Sequence, residues 1–408
     1  MIVTLLVALC AAVVTFLMSL VMWRVGVKYK LYPKIRERDV HTTPTPRLGG
    51  IAMFCGVLAA LLLASQIPFF HIVFANQKQI VAVLLAATLI VVIGVLDDFF
   101  DLDWSTKLIG QVLAAGLLAW LGGLQIDSLP VGGVFGIFVG STWASLALTL
   151  FIVVAVMNML NFIDGLDGLV AGVGVIANGT FYLYSYMLIR LVDQTNYFNL
   201  ASLISAIVLG ACLGFLPLNW HPAKLFMGDA GALLVGLLMS VSAISVTGSI
   251  DPAQLFPGNR AAFAPAFLPL LLPFAILIVP MLDFSLAVVR RLAAGKSPFS
   301  ADRKHLHHRL LDMGHTRFHA TLIFYAWTAV ISVGSLLFFV ARPYWLAWIF
   351  MGGGLLLCAA ATLAPLSHRK RREYEVQREP VATTTTEIAV LDPLDKATNT
   401  TPVQGRHA

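Results

Sequence analysis

The chain alternates between long apolar stretches and short polar ones from its first residue to about residue 366. A membrane-spanning helix needs about 20 apolar residues, so the pattern predicts an all-α polytopic membrane protein with about eleven transmembrane helices. The expected spans lie near residues 1–22, 49–70, 79–96, 106–123, 143–161, 168–189, 200–217, 230–247, 265–289, 320–341 and 344–365. We therefore predict a transmembrane domain over 1–366 and a polar, disordered tail over 367–408.

The positions of lysine and arginine predict the orientation of these helices. If the N-terminus is outside, 23 of the 27 Lys and Arg residues fall in inside segments. Positive charges are enriched in cytoplasmic loops, which predicts an outside N-terminus and an inside C-terminus in a cell membrane (inner or plasma). The stretch 124–142 holds a Gly-Gly pair between β-favouring residues and is expected to form a short outside β-hairpin.

The composition narrows the class of protein. Hydrophobic residues make up 59% of the chain and charged residues only 12%, whereas soluble proteins carry about 25% charged residues. A single soluble domain, a disordered protein and a disulfide scaffold are thereby excluded. The net charge of +6 bears on membrane orientation, so it gives no reason to expect nucleic acid as a partner.

Aspartates gather at the inside ends of the predicted spans: Asp97, Asp98, Asp101, Asp103, Asp164, Asp167 and Asp229. Carboxylates at a membrane edge are costly if they are partly buried without a cation, and a divalent cation would remove that cost. Residues 97–101 form a DDxxD pattern, which suits Mg²⁺ because this ion binds through one or two carboxylates plus substrate phosphates. The alternative is that these aspartates are solvated loop charges.

A second motif, NxxNxxDGxDGL, covers residues 158–169. Asn158, Asn161 and Asp164 are three positions apart, so they share one face of a helix. Amides beside a carboxylate suit recognition of a base or a sugar. The alternative is a polar helix end capped by its own Asn and Asp side chains.

Two further polar segments follow. Residues 219–231 contain Asp229, which could bind a ligand or N-cap the next span, a position that also favours phosphate. Residues 304–309 read Lys-His-Leu-His-His-Arg, and their cations favour phosphate binding over zinc; the alternative is a solvated basic loop.

Asp283, within a predicted span, is either functional or paired with Arg290 or Arg291.

Five motifs occur in one order along the chain: PTPRLGG at 44–50, the DDxxD, the NxxNxxDGxDGL, FMGDxG at 226–231 and HxHHR at 305–309. In this set and order the chain resembles the polyprenyl-phosphate N-acetylhexosamine-1-phosphate transferases, of glycosyltransferase 4 type. The His-Leu-His-His-Arg form is similar to the branch that uses UDP-N-acetylglucosamine. Leu306 departs from the three consecutive histidines typical of the muramoyl-pentapeptide branch.

The resemblance implies a reaction and its partners. A polyprenyl phosphate attacks the sugar-bearing phosphorus of UDP-N-acetylglucosamine, UMP leaves, and polyprenyl-diphospho-N-acetylglucosamine remains in the membrane. This is a first membrane step of cell-envelope polysaccharide synthesis. The family implies Mg²⁺ as cofactor, with Mn²⁺ as an alternative, and an active site facing the cytoplasm. A homodimer is left open.

The resemblance also implies roles for residues. Asp97, Asp98 and Asp229 would be metal ligands and catalytic residues, and one of the first two would deprotonate the lipid phosphate. His307 and His308 would be catalytic. The substrate-binding residues would be Lys107, Asn158, Asn161, Asp164, Asp167, Asn219, His305 and Arg309, with Asp164 expected to contact uracil.

Three rival interpretations remain. The same reaction could use another UDP-N-acetylhexosamine. An intramembrane aromatic prenyltransferase also uses DDxxD, but it would need a second acid-rich repeat, and residues 158–169 have the wrong spacing. A lipid or sugar transporter would place its charges near the midplane, where only Asp283, close to Pro280, is a candidate.

Overall fold

A computed structural model describes residues 1–32, 45–126, 128–129, 137–138, 141–192, 198–247, 292–293, 295, 310, 313–341 and 343–363. Its helices are α1 (Ile2–Lys28), α2 (Gly49–Ser65), α3 (His71–Ala75), α4 (Gln77–Phe100), α5 (Trp104–Gly116), α6 (Thr142–Ile163), α7 (Leu169–Val192), α8 (Phe198–Asn219), α9 (Gly228–Thr247), α10 (Arg317–Val340) and α11 (Trp345–Leu363). A single π-helical turn, Leu117–Leu121, continues α5.

The long apolar helices confirm a polytopic, helical membrane protein. Among the described residues, eight helices are long and apolar enough to cross a membrane, or nine if a bent pair counts as one span. The predicted span at 265–289 lies outside the described residues, as does the tail from 367. The number of eleven spans, the orientation and the disordered tail therefore stay predictions.

A maleimide that cannot cross membranes would test the orientation. If the C-terminus is inside, Asp395→Cys should resist this reagent in intact cells and react once the membrane is permeabilised. The unsubstituted chain, whose four cysteines lie in apolar runs, supplies the background signal. Labelling of Asp395→Cys in intact cells would place the tail outside and contradict the charge argument.

The second helix differs from the span expected over 49–70. It ends at Ser65, and the chain bends by 94° into the pair Pro68–Phe70 and α3. Pro68 stands at the first position of the short 3₁₀ turn. Because proline has no backbone N–H and restricts the residue before it, it starts a new element rather than continuing α2.

Two short strands lie in the stretch where a hairpin is expected. Ser128–Leu129 (β1) pairs antiparallel with Ile137–Phe138 (β2), with Ser128 opposite Phe138. The turn between them is outside the described residues, so the complete hairpin and its outside location stay predictions.

The helix α9 lies at the centre of the packing. It contacts α2, α4, α6 and α8, and 94% of its most apolar window is buried in the protein, against 11% for α11. Its serines Ser240, Ser242 and Ser245 each donate a hydrogen bond to the carbonyl four residues earlier. A helix surrounded by protein can carry such polar side chains at little cost, because they are satisfied locally.

Glycines allow α2 and α4 to approach the start of α9 closely. A Cβ at Gly50 would collide with the backbone of Ala230 and Gly231, and a Cβ at Gly94 would collide with the backbone of Ala230. The C-terminal end of α4 and the N-terminal ends of α2 and α9 are therefore held together, and the polar motifs lie at this end of the bundle.

Candidate active site

Main-chain hydrogen bonds join the PTPRLGG motif to the segment before α9. The N–H of Phe226 donates to the carbonyl of Pro46 at 2.9 Å, and the N–H of Gly49 donates to the carbonyl of Phe226 at 3.0 Å. The N–H of Gly50 donates to the carbonyl of Met227 at 2.9 Å. Two segments far apart in sequence are thus fixed to each other by their backbones, immediately before the first turn of α9.

The end of α4 presents Asp97 to the start of α5. Asp97 is buried, and its Oδ1 accepts a hydrogen bond from the N–H of Leu102 at 2.8 Å. Its Oδ2 lies 2.5 Å from Nζ of Lys107, and the same Nζ lies 3.3 Å from Oδ2 of Asp229. One ammonium group therefore holds two carboxylates that come from different helices.

Asp98 points to the backbone at the start of α9. Its Oδ1 accepts from the N–H of Asp229 at 3.4 Å, while its buried Oδ2 has no hydrogen-bond partner in the described part of the chain. Gly228 has φ of +70°, and a Cβ there would collide with this carboxylate. Helix α9 begins at Gly228, so Asp229 lies in its first turn instead of at the N-cap that the sequence allowed.

The C-terminal end of α6 adds Asn161 and, directly after the helix, Asp164. The side chain of Asn161 lies close enough to that of Asp229 to interact with it. Desolvation by the surrounding protein raises the pKa of Asp164 to about 7; the carboxylates of Asp229 and Asp167 add to the effect and Arg47 opposes it. A carboxyl with this pKa can hold or release a proton near neutral pH.

Asn158 is held by a residue that no sequence motif indicated. Its Nδ2 donates to Oε1 of Gln111 at 2.5 Å and to the carbonyl of Val154 at 2.8 Å. Gln111 is buried and lies one turn after Lys107 on α5. The same face of α5 therefore supplies the cation between the acids and the amide that orients Asn158.

Residues 80–247 of the chain match the model of glycosyl transferase family 4. A decaprenyl-phosphate N-acetylglucosaminephosphotransferase of Mycobacterium leprae is 42% identical over 368 residues, which is 90% of this chain and 91% of the relative. The chain belongs to glycosyl transferase family 4. The acidic cluster, from Asp97 to Asp229, lies wholly within the matched region of this family 4 member.

Two further relatives carry names that describe two different transferase activities. A probable undecaprenyl-phosphate N-acetylglucosaminyl 1-phosphate transferase of Bacillus subtilis is 32% identical, covering 79% of this chain and 84% of the relative. A phospho-N-acetylmuramoyl-pentapeptide-transferase of Halalkalibacterium halodurans is 30% identical, covering 75% and 84%. The higher identities thus belong to relatives named for N-acetylglucosamine.

Two of the expected substrate-binding residues connect loops in this family 4 chain. Asn219 is buried, accepts from the N–H of Gly168 at 3.1 Å and donates to the carbonyl of Leu225 at 2.9 Å. Oδ2 of Asp167 lies 2.7 Å from Nδ1 of His221 and accepts from the N–H of Ala223 at 3.2 Å. These contacts fix the loop after α6 to the loop after α8.

The pairing of Asp167 with His221 gives a testable stability effect. Asp167→Ala should lower the free energy of unfolding by about 1–3 kcal/mol, because the change leaves donors without an acceptor in a largely buried place. His221→Ala should cost less, and the double variant should lose less than the sum of the two. Thermal unfolding of the purified proteins in detergent measures all three. Additive losses would show that the two side chains do not act as a pair.

The structure brings together most, but not all, of the residues that the sequence indicated. Asp97, Asp98, Lys107, Asn161, Asp164 and Asp229 form one cluster. His305, His307, His308, Arg309 and Asp283 lie outside the described residues. Sequence reasoning missed Gln111, and it quoted Arg47 within a motif without giving it a role. Gln111 carries one available signal, an amide among the apolar residues of α5.

Proposed function

We propose that the protein transfers N-acetylglucosamine 1-phosphate from UDP-N-acetylglucosamine to a polyprenyl phosphate at the cytoplasmic face of the cell membrane. An oxygen of the lipid phosphate forms a bond to the sugar-bearing phosphorus, and the bond from that phosphorus to UMP breaks. The products are UMP and polyprenyl-diphospho-N-acetylglucosamine. The product would start a cell-envelope polysaccharide on its lipid carrier.

The observation that carries this proposal is the cluster of Asp97, Asp98, Lys107 and Asp229 at one end of the bundle, in a chain of this family. The cluster is built from the ends of α4, α5 and α9, where a membrane-bound substrate and a water-soluble one can meet. Phosphoryl transfer depends mainly on positioning and charge stabilisation, and this cluster offers both, with no covalent nucleophile needed.

The donor set of the cluster fits Mg²⁺. No three Asp, Glu, His or Cys side chains form a complete metal site among the described residues. Mg²⁺ does not need one, because it usually combines one or two carboxylates with waters and substrate phosphates. Asp229 and the unpartnered oxygen of Asp98 are the pair that would hold it, with Asp97 beside them. The ion would neutralise charge on the diphosphate during transfer.

The other side chains of the cluster would have separate roles in the reaction. Lys107 keeps Asp97 and Asp229 in place through its two ion pairs. Both oxygens of Asp97 are engaged, by Leu102 and by Lys107, and one of Asp97 and Asp98 would also accept the proton from the lipid phosphate. Asn158, Asn161 and Asp164 lie along the end of α6, where they would receive the uridine.

A transfer assay tests the proposal. It combines the purified protein with UDP-N-acetylglucosamine, polyprenyl phosphate and Mg²⁺. We expect UMP release that depends on the lipid and the metal, with radiolabelled sugar phosphate appearing in the lipid product. Omission of the lipid is the control, and EDTA should stop the reaction. Labelled sugar crossing the membrane of proteoliposomes without UMP release would instead indicate a transporter.

The sugar needs its own comparison, because a muramoyl-pentapeptide transferase is also a relative. A panel should include UDP-N-acetylglucosamine, UDP-N-acetylgalactosamine and UDP-N-acetylmuramoyl-pentapeptide under the same conditions. We expect the first to give the highest kcat/KM, since Leu306 breaks the run of three histidines and the higher identities belong to N-acetylglucosamine enzymes. Preference for another sugar would change the substrate and leave the reaction class intact.

A further inference from the structure

Two cations, Lys107 and Arg47, lie near the acidic carboxylates, and they differ in the ion pairs that they form. Lys107 is engaged by Asp97 at 2.5 Å and by Asp229 at 3.3 Å. Arg47 is half-buried and interacts electrostatically with Asp98 and Asp164. Within the residues that the structure describes, its guanidinium forms no ion pair with either of them. A guanidinium carries five N–H donors, which a phosphate could accept.

The position of Arg47 is set by the backbone on both sides of it. Pro46 accepts from Phe226, and Gly49 and Gly50 donate to Phe226 and Met227. The carbonyl of Arg47 lies 3.0 Å from the place a Cβ would take at Gly228, and the carboxylate of Asp98 adjoins the same place. The backbone of Arg47 is thus fixed beside the first turn of α9, and the positive end of this helix dipole also favours an anion.

We infer that Arg47 binds a phosphate of the substrates through its guanidinium. The carboxylates at this end of the bundle would repel an anionic substrate, and Lys107 is already neutralised by two of them. A guanidinium can bind a phosphate with two parallel hydrogen bonds, which a lysine cannot do. This inference rests on the proposed function, and it adds a binding residue outside the motifs from which the aspartates and asparagines were chosen.

A series of ligands with an increasing number of phosphates distinguishes phosphate binding from base binding. Affinities of the purified protein for uridine, UMP, UDP and UDP-N-acetylglucosamine are measured with Mg²⁺ for the unsubstituted chain and for Arg47→Gln. We expect equal affinity for uridine and a loss of roughly 10²-fold for UDP and the UDP-sugar, as is typical when one charge contact is removed. Arg24→Gln, which removes an exposed arginine near the end of α1, should leave the affinities for all four ligands unchanged.

The KM values for the two substrates show whether Arg47 contacts the phosphates of the nucleotide or the phosphate of the lipid. A raised KM for the UDP-sugar in Arg47→Gln places the contact on the nucleotide diphosphate. A raised KM for polyprenyl phosphate alone places it on the lipid phosphate, and both results support the inference. Unchanged affinities and unchanged KM for both substrates would overturn it. Transfer activity of the unsubstituted chain is measured in parallel, so that failure of the proposed reaction is seen separately from failure of the Arg47 contact.

A second variant guards against loss of folding. If Arg47→Gln cannot be recovered from the membrane, Arg47→Lys keeps the charge and loses the forked geometry. We then expect a smaller loss, confined to the ligands that carry phosphate. An equal loss for uridine and UDP in that variant would show that Arg47 only supports the fold and would overturn the inference.

Discussion

Asp229→Asn is expected to abolish transfer activity while the protein still inserts in the membrane. The change removes one negative charge and keeps the shape of the side chain, so its neighbours, Asn161 among them, need not move. It removes the partner of Lys107 at 3.3 Å and one of the two carboxylates that fit Mg²⁺. An acid in the first turn of a helix is worth only about 0.3–1 kcal/mol, so α9 should remain folded.

Turnover, membrane yield and thermal unfolding should be measured together for this variant. Asp103→Asn is the matched control, because Asp103 is an exposed acid in the loop between α4 and α5, and it should keep near-normal turnover. If Asp229→Asn turned over at a normal rate at low Mg²⁺, the assignment of Asp229 as a metal ligand would be wrong.

His307→Ala and His308→Ala are each expected to lower turnover by roughly 10²-fold or more, the usual effect of losing one transition-state charge contact. The histidines belong to the basic segment before α10, and α10 is attached to the loop that follows α6. Oγ1 of Thr321 donates to the carbonyl of Asp167 at 3.3 Å, and Tyr325 donates to that of Gly168 at 2.5 Å. Imidazole in this segment can supply one hydrogen-bond donor, and imidazolium two, to the developing charge.

The competing view is that this segment serves only to orient the protein in the membrane. On that view both histidines can be lost at little cost, whereas reversing the charges of Arg290, Arg291 and Arg303 disturbs insertion. Turnover and insertion are therefore measured for both sets of variants. Full activity of the double His→Ala protein would defeat the catalytic role of the motif.

Of the seven aspartates that the sequence placed at one end of the bundle, Asp97, Asp98, Asp164 and Asp229 meet in the cluster, and the reason is topological. If every helix spans the membrane, the ends of α4 and α6 and the start of α9 lie at the same end of the bundle, because two crossings separate each of these points from the next. The motifs around Asp97, Asp164 and Asp229 were therefore placed together correctly. The convergence of Lys107 with two of these acids follows from the same counting.

The contacts of individual side chains could not be predicted from the sequence. Asn219 and Asp167 appear within functional motifs, yet their described hydrogen bonds join two loops. Gln111 contacts Asn158 across two helices that are 47 positions apart at that point, and no local pattern records such a pairing. Rotation of a helix about its axis decides these contacts, and rotation depends on packing against all neighbours at once.

The burial of α9 also determines when the cluster can form as the chain is made. Asp229 follows Asp98 by 131 positions, so the acids of α4 enter the membrane long before their partner exists. A nascent chain that ends before α9 has Asp97 beside Lys107 but lacks the backbone N–H groups that Asp98 faces. The acidic cluster is therefore complete only after α9 has been synthesised and has packed against α2, α4, α6 and α8.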